Sequence, residues 1–217
     1  MKAFTKLTAN VLPLNRANVD TDQIIPKQFL KSIGRTGFGD FLFDAWRFHD
    51  EGEIGMTPNE RQINHSFVLN DPRYQDVGIL LAGDNFGCGS SREHAVWALE
   101  EYGIRCVIAT SFADIFYNNC FKNGVLPIVL DRKNIEILFD AATKADALEL
   151  VVDLRAQTIT GLGSPLSFDI DKHRKASLLE GLDDIGASLE MADQIIAFER
   201  RHKENNPWLF NKEPRSG

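Results

Sequence analysis

The chain has 217 residues, 43% of them hydrophobic and 25% charged, and carries a net charge of −7. That composition suits a globular protein with a sizeable core. The acidic balance argues against a nucleic-acid partner, the apolar runs are far too short for a bilayer span, and the first residues lack a secretory apolar segment.

Taken in order, Phe4 to Leu14 alternates loosely and predicts a strand or hairpin, with Pro13 ending it. Asn18 to Pro26 clusters Asn and Asp and predicts a turn or helix cap, with Asp20 solvated. Pro26 to Leu30 predicts a short helix, and Lys31 to Gly39 a glycine-broken loop bearing Arg35. Asp40 to Phe48 is aromatic and packs on the core, whereas His49 to Asn64 reads as a polar surface excursion without chemistry.

Val77 to Leu130 is organised as strand 77–82, helix 92–102, strand 104–109, helix 111–122 and strand 125–130. This β-α-β-α-β order with short connections predicts parallel strands and right-handed crossovers. The second helix opens at Ser111 with Asp114 three residues on, and should bury Phe112, Ile115, Phe116 and Cys120. Residues 134–142 predict a helix with Ile135, Leu138 and Phe139 inward. Antiparallel strands follow over 148–154, 158–161 and 166–170, then helices over 171–179 and 185–203. The fold class expected is α/β, a mainly parallel β/α core with added antiparallel strands. Residues 1–204 read as one domain and 205–217 as a loose tail, in which Trp208-Leu209-Phe210 is apolar enough to dock.

Chemistry concentrates in Gly83 to Ala95, where a strand meets a helix through Gly87-Cys88-Gly89-Ser90-Ser91-Arg92-Glu93-His94. Glycines let a ligand approach the main chain, helix-terminal N–H groups favour an anion, and Arg92 supplies a forked donor set for a carboxylate or phosphate. Ser90 with Glu93 also reads as a capping box, which needs no ligand. The turn lacks the third glycine of a dinucleotide fingerprint, the Gly-Lys-Ser/Thr of a triphosphate loop and the flanking glycine of a nucleophile elbow. Cys88 and His94 could pair as thiol and base only if folding brought them together.

Cys88, Cys106 and Cys120 are odd in number and show neither a Cys-x-x-Cys pair nor zinc-ligand spacing, so they read as reduced thiols of a cytosolic protein. No metal is expected on this chain.

These motifs, with the upstream Asp20-Thr21-Asp22-Gln23-Ile24-Ile25-Pro26 and the downstream Ser111-Phe112-Ala113-Asp114-Ile115-Phe116, resemble the swivelling domain of the aconitase superfamily. Within it the chain looks like the small subunits of bacterial isopropylmalate dehydratases, from about Phe4 to about Phe198. The resemblance implies a hydro-lyase of leucine biosynthesis, cytoplasmic, that moves a hydroxyl between adjacent carbons of isopropylmalate by dehydration and rehydration. It implies Ser90 as the base, Asp22 as its proton partner, Ser91 and Arg92 as carboxylate ligands, Arg35 as a specificity residue, and His94 as at most an orienting group. The superfamily's four-iron, four-sulfur cluster would be carried by a large subunit, because these three cysteines do not form a ligand set. Other readings of the same residues are a related hydro-lyase acting on methylmalate, citraconate or homoaconitate, or a dicarboxylate-binding module without chemistry.

Overall fold

The computed structural model describes residues 1–31, 34, 36–74, 76–144 and 147–210. Two compact units are present, Met1–Gly181 and Leu182–Gly217, a division earlier in the chain than the 204/205 boundary drawn from sequence.

The first unit holds strands β1 (Lys6–Leu14), β2 (Val77–Ala82), β3 (Cys106–Ala109), β4 (Leu126–Val129), β5 (Glu149–Asp153), β6 (Thr158–Thr160) and β7 (Leu166–Ser167). They form one seven-stranded sheet in the order β4-β3-β2-β1-β5-β6-β7. β1 to β4 pair in parallel and β5 to β7 antiparallel, so the expected mixed α/β class is what forms. Its helices are α1 (Thr21–Ile24), α2 (Asp44–Arg47), α3 (His94–Tyr102), α4 (Asp114–Lys122), α5 (Arg132–Lys144) and α6 (Lys172–Glu180).

β2 is buried along its whole length, and alternation sends Leu80 and Ala82 to one face of the sheet and Ile79 and Leu81 to the other. Val77 breaks that parity, lying on the face of Leu80. The reason is a bulge: Asn10 and Val11 of β1 face Val77 and Ile79, so Gly78 is the extra residue. A Cβ at Gly78 would lie 2.7 Å from that of Ala9, which is why glycine stands there.

Pro13 does not end β1; it pairs with Leu81 inside it. The Val11 N–H donates to the Leu148 carbonyl (2.9 Å) on the β5 side, and two residues on the ring nitrogen of Pro13 faces that same side. The β5 ladder runs only from Lys6 to Asn10, so at Pro13 no donor is missed.

Further differences from expectation are local. The helix expected over 111–122 starts at Asp114 with no side-chain cap, because the Ser111 hydroxyl accepts from the Asn85 N–H (2.8 Å) instead. Ile115 of that helix is 51% exposed, although Phe116 and Cys120 are buried as predicted. The polar stretch 49–64 is not purely superficial: Arg61 turns inward, donates to Asp44 at 2.7 and 3.3 Å, and spans to Asp50 at 2.7 Å. Burial opposes the Arg61 charge, yet these hydrogen bonds hold its pKa above the ordinary value. In the second unit, the helix expected over 185–203 is two, α7 (Asp184–Glu190) and α8 (Ala192–Asn205), broken at Met191. Phe198 stacks on His202, and Phe210 meets His202 edge-on.

Candidate active site

Parallel strands β1 and β2 deliver two loops to the same end of the sheet, beyond the carboxyl ends of the strands, where ligands of such sheets bind. The loops continue the strand ladder beyond the strands. The Gly83 N–H donates to the Arg16 carbonyl (3.0 Å), Asn18 to Asp84 (2.8 Å), Gly87 to Val19 (2.8 Å) and Thr21 to Cys88 (2.9 Å). Buried Thr21 then donates its Oγ1 proton to the Ser90 carbonyl at 2.9 Å. Asn18 and Asn85, both at φ +54°, are joined by an amide–amide hydrogen bond of 2.9 Å. Left-handed backbone at two neighbouring non-glycine residues is the kind of strain that collects at functional sites.

Packing fixes the glycine turn. Gly87 has φ +76°, and a Cβ there would fall 2.1 Å from Phe116 Cγ, so α4 presses directly on the turn. Gly89, at φ +87°, lies against Asp20 and Thr21. Asp20 is not a solvated loop residue: its carboxylate accepts from the Gln23 N–H (2.7 Å) and Gln23 Oε1 accepts from the Asp20 N–H (3.0 Å), a complete capping box for α1. The spacing Asp20-x-x-Gln23 was the sequence signal for that helix.

The lacing ends by placing Asp22 beside Arg92, and Arg92 Nη1 donates to Asp22 Oδ1. Ser90 and Ser91 are exposed next to that pair, and their hydroxyls make no hydrogen bond among the described residues. Arg35 lies outside the described residues. Asp22, Ser90, Ser91 and Arg92 are thus brought into one neighbourhood, with Asp22 held by Arg92 and its segment tied to Ser90 through Thr21.

The helix expected to begin in the glycine turn begins at His94. Residues 90–92 are its lead-in, and the Ser90–Glu93 capping box does not form: Glu93 Oε1 accepts from Asn123 Nδ2 (2.8 Å) instead. Since a helix dipole acts mainly over the first turn, Ser90 depends more on Arg92 than on the helix for its positive surroundings. Burial, followed by the Asp20 charge, pushes the Cys88 thiol up, which disfavours a thiolate nucleophile there. Burial lowers the His94 pKa; Glu93 works against that and Arg92 adds to it. The His94 ring packs 4.6 Å from Trp97 and 5.2 Å from Phe38. A cleft of about 330 Å³ opens nearby at the strand ends, lined by Asn15, Gly83, Asp84, Thr110 and Arg132 among others. Asp84 there is held below its usual range by Thr110 and then by Arg132.

Residues 1–133 match the model of the aconitase C-terminal domain, and residues 184–212 match that of the C-terminal domain of the 3-isopropylmalate dehydratase small subunit. The 3-isopropylmalate dehydratase small subunit of Neisseria meningitidis is 58% identical over 212 residues, 97% of this chain and 100% of that protein. The chain belongs to the 3-isopropylmalate dehydratase small-subunit family. A member from Neisseria gonorrhoeae is likewise 58% identical over 97% of the chain. The crystal structure of a 3-isopropylmalate dehydratase from Methanocaldococcus jannaschii shares the fold with a TM-score of 0.61, at 24% identity, covering 89% of this chain and 99% of that one.

The iron–sulfur cluster of aconitase-type chemistry needs several thiolates converging on one point. The thiols of this family member do not fit it. Cys106 and Cys120 are wholly buried in opposite faces of the core, and burial drives both thiols far above the ordinary value. Among the described residues no group of three His, Cys, Asp or Glu side chains is placed to hold a metal ion. No helix among them is long and apolar enough to cross a membrane.

Proposed function

We propose that this chain is the small subunit of a cytoplasmic hydro-lyase that interconverts 2-isopropylmalate and 3-isopropylmalate, and that it works only with a large subunit that holds the four-iron, four-sulfur cluster. The observation that carries the reading is the Asp22–Arg92 pair laid beside two exposed serines by the laced loops.

The reaction removes a proton from carbon adjacent to a carboxylate, which calls for a base and for stabilisation of developing negative charge. Ser90 Oγ takes that proton. Arg92 stabilises the alkoxide form of Ser90 and, with only Nη1 committed to Asp22, offers Nη2 and Nε to a substrate carboxylate. Ser91 adds a hydroxyl donor to that carboxylate. Asp22, already held in place by Arg92, receives the proton relayed from Ser90 and returns it. Arg35 stands in the stretch that meets the substituent distinguishing isopropylmalate from smaller diacids.

The test is co-purification with the large subunit, anaerobic reconstitution with iron and sulfide, and assay against isopropylmalate, methylmalate, citraconate and homoaconitate. Preferred turnover of isopropylmalate by the complex, with none by either chain alone, is the expected result. A stable cluster with turnover on this chain by itself would overturn the two-subunit reading, and preference for another acid would overturn the substrate.

A further inference from the structure

His94, Trp97 and Glu101 stand at i, i+3 and i+7 of α3 and therefore share one side of it. Residues 37–39 lie across that side. Glu101 accepts three consecutive main-chain N–H groups there: Gly37 to Oε1 at 3.1 Å, Phe38 to Oε2 at 2.5 Å and Gly39 to Oε2 at 3.0 Å. Successive main-chain donors converging on one carboxylate form a strong, charge-assisted clasp. It brings the backbone directly onto the helix, since a Cβ at Gly39 would lie 3.0 Å from the Glu101 carbonyl carbon. Between the clasp and the site sits Phe38, buried to 1% exposure, with its ring edge-on to His94 at 5.2 Å and tilted against Trp97 at 5.8 Å.

We propose that Glu101 is a positioning residue for the active site: by gripping main-chain atoms 37–39 it seats Phe38 against His94, and so sets the lead-in 90–93 on which Arg92 and Ser90 ride. It works through Phe38 and His94 and touches no substrate. The functional part of this inference rests on the reading of the site given above; the structural part does not.

Glu101→Gln keeps the size and a neutral acceptor, and Glu101→Ala removes both. On the full chain, amide hydrogen exchange at 37–39 and the pH titration of the His94 ring are followed by NMR; on the complex with the large subunit, kcat and KM for isopropylmalate are measured. Exchange at 37–39 should accelerate by about tenfold or more, as loss of hydrogen bonds to a charged acceptor implies. The His94 titration should move up towards its ordinary value as burial is relieved, with the Glu93 and Arg92 charges beside it unchanged. Misplacement of the lead-in should lower kcat/KM by about 10- to 100-fold, chiefly through KM, with Gln milder than Ala.

A site-independent clasp would free the amides yet leave the His94 titration and kcat/KM at wild-type values in both variants, and that result would overturn the proposal. If Glu101→Ala does not fold, Glu101→Gln decides alone by the same criteria. A wild-type complex without isopropylmalate turnover would remove the functional reading, while the exchange and titration measurements would still judge whether Glu101 seats Phe38 on His94.

Discussion

The two faces of the sheet are packed by different means. One is filled mainly by aliphatic side chains such as Ile79, Leu81, Ile108 and Leu126, with Leu138 of α5, and its buried rings are Phe4, Phe121, Phe139 and Phe168. The other is layered with rings, Phe29, Phe38, Phe43, Phe67, Phe86 and Phe116, and its covering segment 40–74 also brings in buried Asp44, Arg47 and Arg61. Interlocking rings and hydrogen-bonded charges have fewer ways to pack than branched aliphatics, so they specify geometry as well as contributing stability. It is the ring-filled face that presses on the glycine turn and the start of α3, Phe116 against Gly87 and Phe38 against His94. The aliphatic face supplies a stable floor; the aromatic face supplies alignment.

Substitutions should separate these roles. The largest effect is expected of Ser90→Ala: turnover of the assembled complex should fall by about 10²–10⁴-fold, as for a lost general base. Because Ser90 is exposed and caps nothing, its unfolding free energy should change by less than about 0.5 kcal/mol. Steady-state kinetics beside urea denaturation would measure both, and a stability loss matching the activity loss would refute the assignment. Arg61→Met on the aromatic side should cost about 3–5 kcal/mol by stranding the buried Asp44 charge, and removing Asp44 as well should recover most of it. A denaturation double-mutant cycle reads this directly.

Leu138→Ala on the aliphatic side should cost about 2–5 kcal/mol through the cavity it leaves, while kcat/KM per folded complex stays at the wild-type value. An altered KM in that variant would mean that the floor also aligns the site. The smallest effect is a pH dependence at the N-terminus of α6. Asp171 accepts main-chain N–H groups of Arg174 and His173 at the start of α6, which holds its carboxyl below its ordinary value of 3.8. That stability is present above the ordinary value and is lost as pH falls through the lowered one. Asp171→Asn should flatten this part of the dependence of Tm on pH and leave Tm near neutrality slightly lower.

The β2-α3-β3-α4-β4 core was legible because its strands are continuous apolar runs and its helices have clear periodicity. The helix start was not, since Ser90-x-x-Glu93 satisfies the capping pattern while Asn123, thirty residues away, claims the Glu93 carboxylate. Ile115 carried a helical apolar position that tertiary packing left exposed, and Pro13 carried a stop signal that the offset between the β2 and β5 ladders made harmless. The glycine turn, its serines and Arg92 were visible as a dense cluster of chemistry. What juxtaposes Asp22 with Arg92 was not, because it consists of main-chain hydrogen bonds between loops nearly seventy residues apart, and main-chain atoms carry no letter in a sequence.

The continuation of the β1–β2 ladder into the loops has a consequence for how this chain tolerates changes of length. Within the strands, Asn10 to Leu14 is counted against Val77 to Ala82 with one offset, at Gly78, and beyond them the contacts Arg16–Gly83, Asn18–Asp84, Val19–Gly87 and Thr21–Cys88 are fixed pair by pair although the two loops advance unevenly. Deleting or inserting one residue on either side shifts the count by one, about 3.3 Å along the ladder, and points alternate side chains to the wrong face. A natural or engineered variant with a changed length between 10 and 22 should therefore carry a matching change between 77 and 92. Stretches outside that count, such as the turn between β6 and β7, are not bound by it.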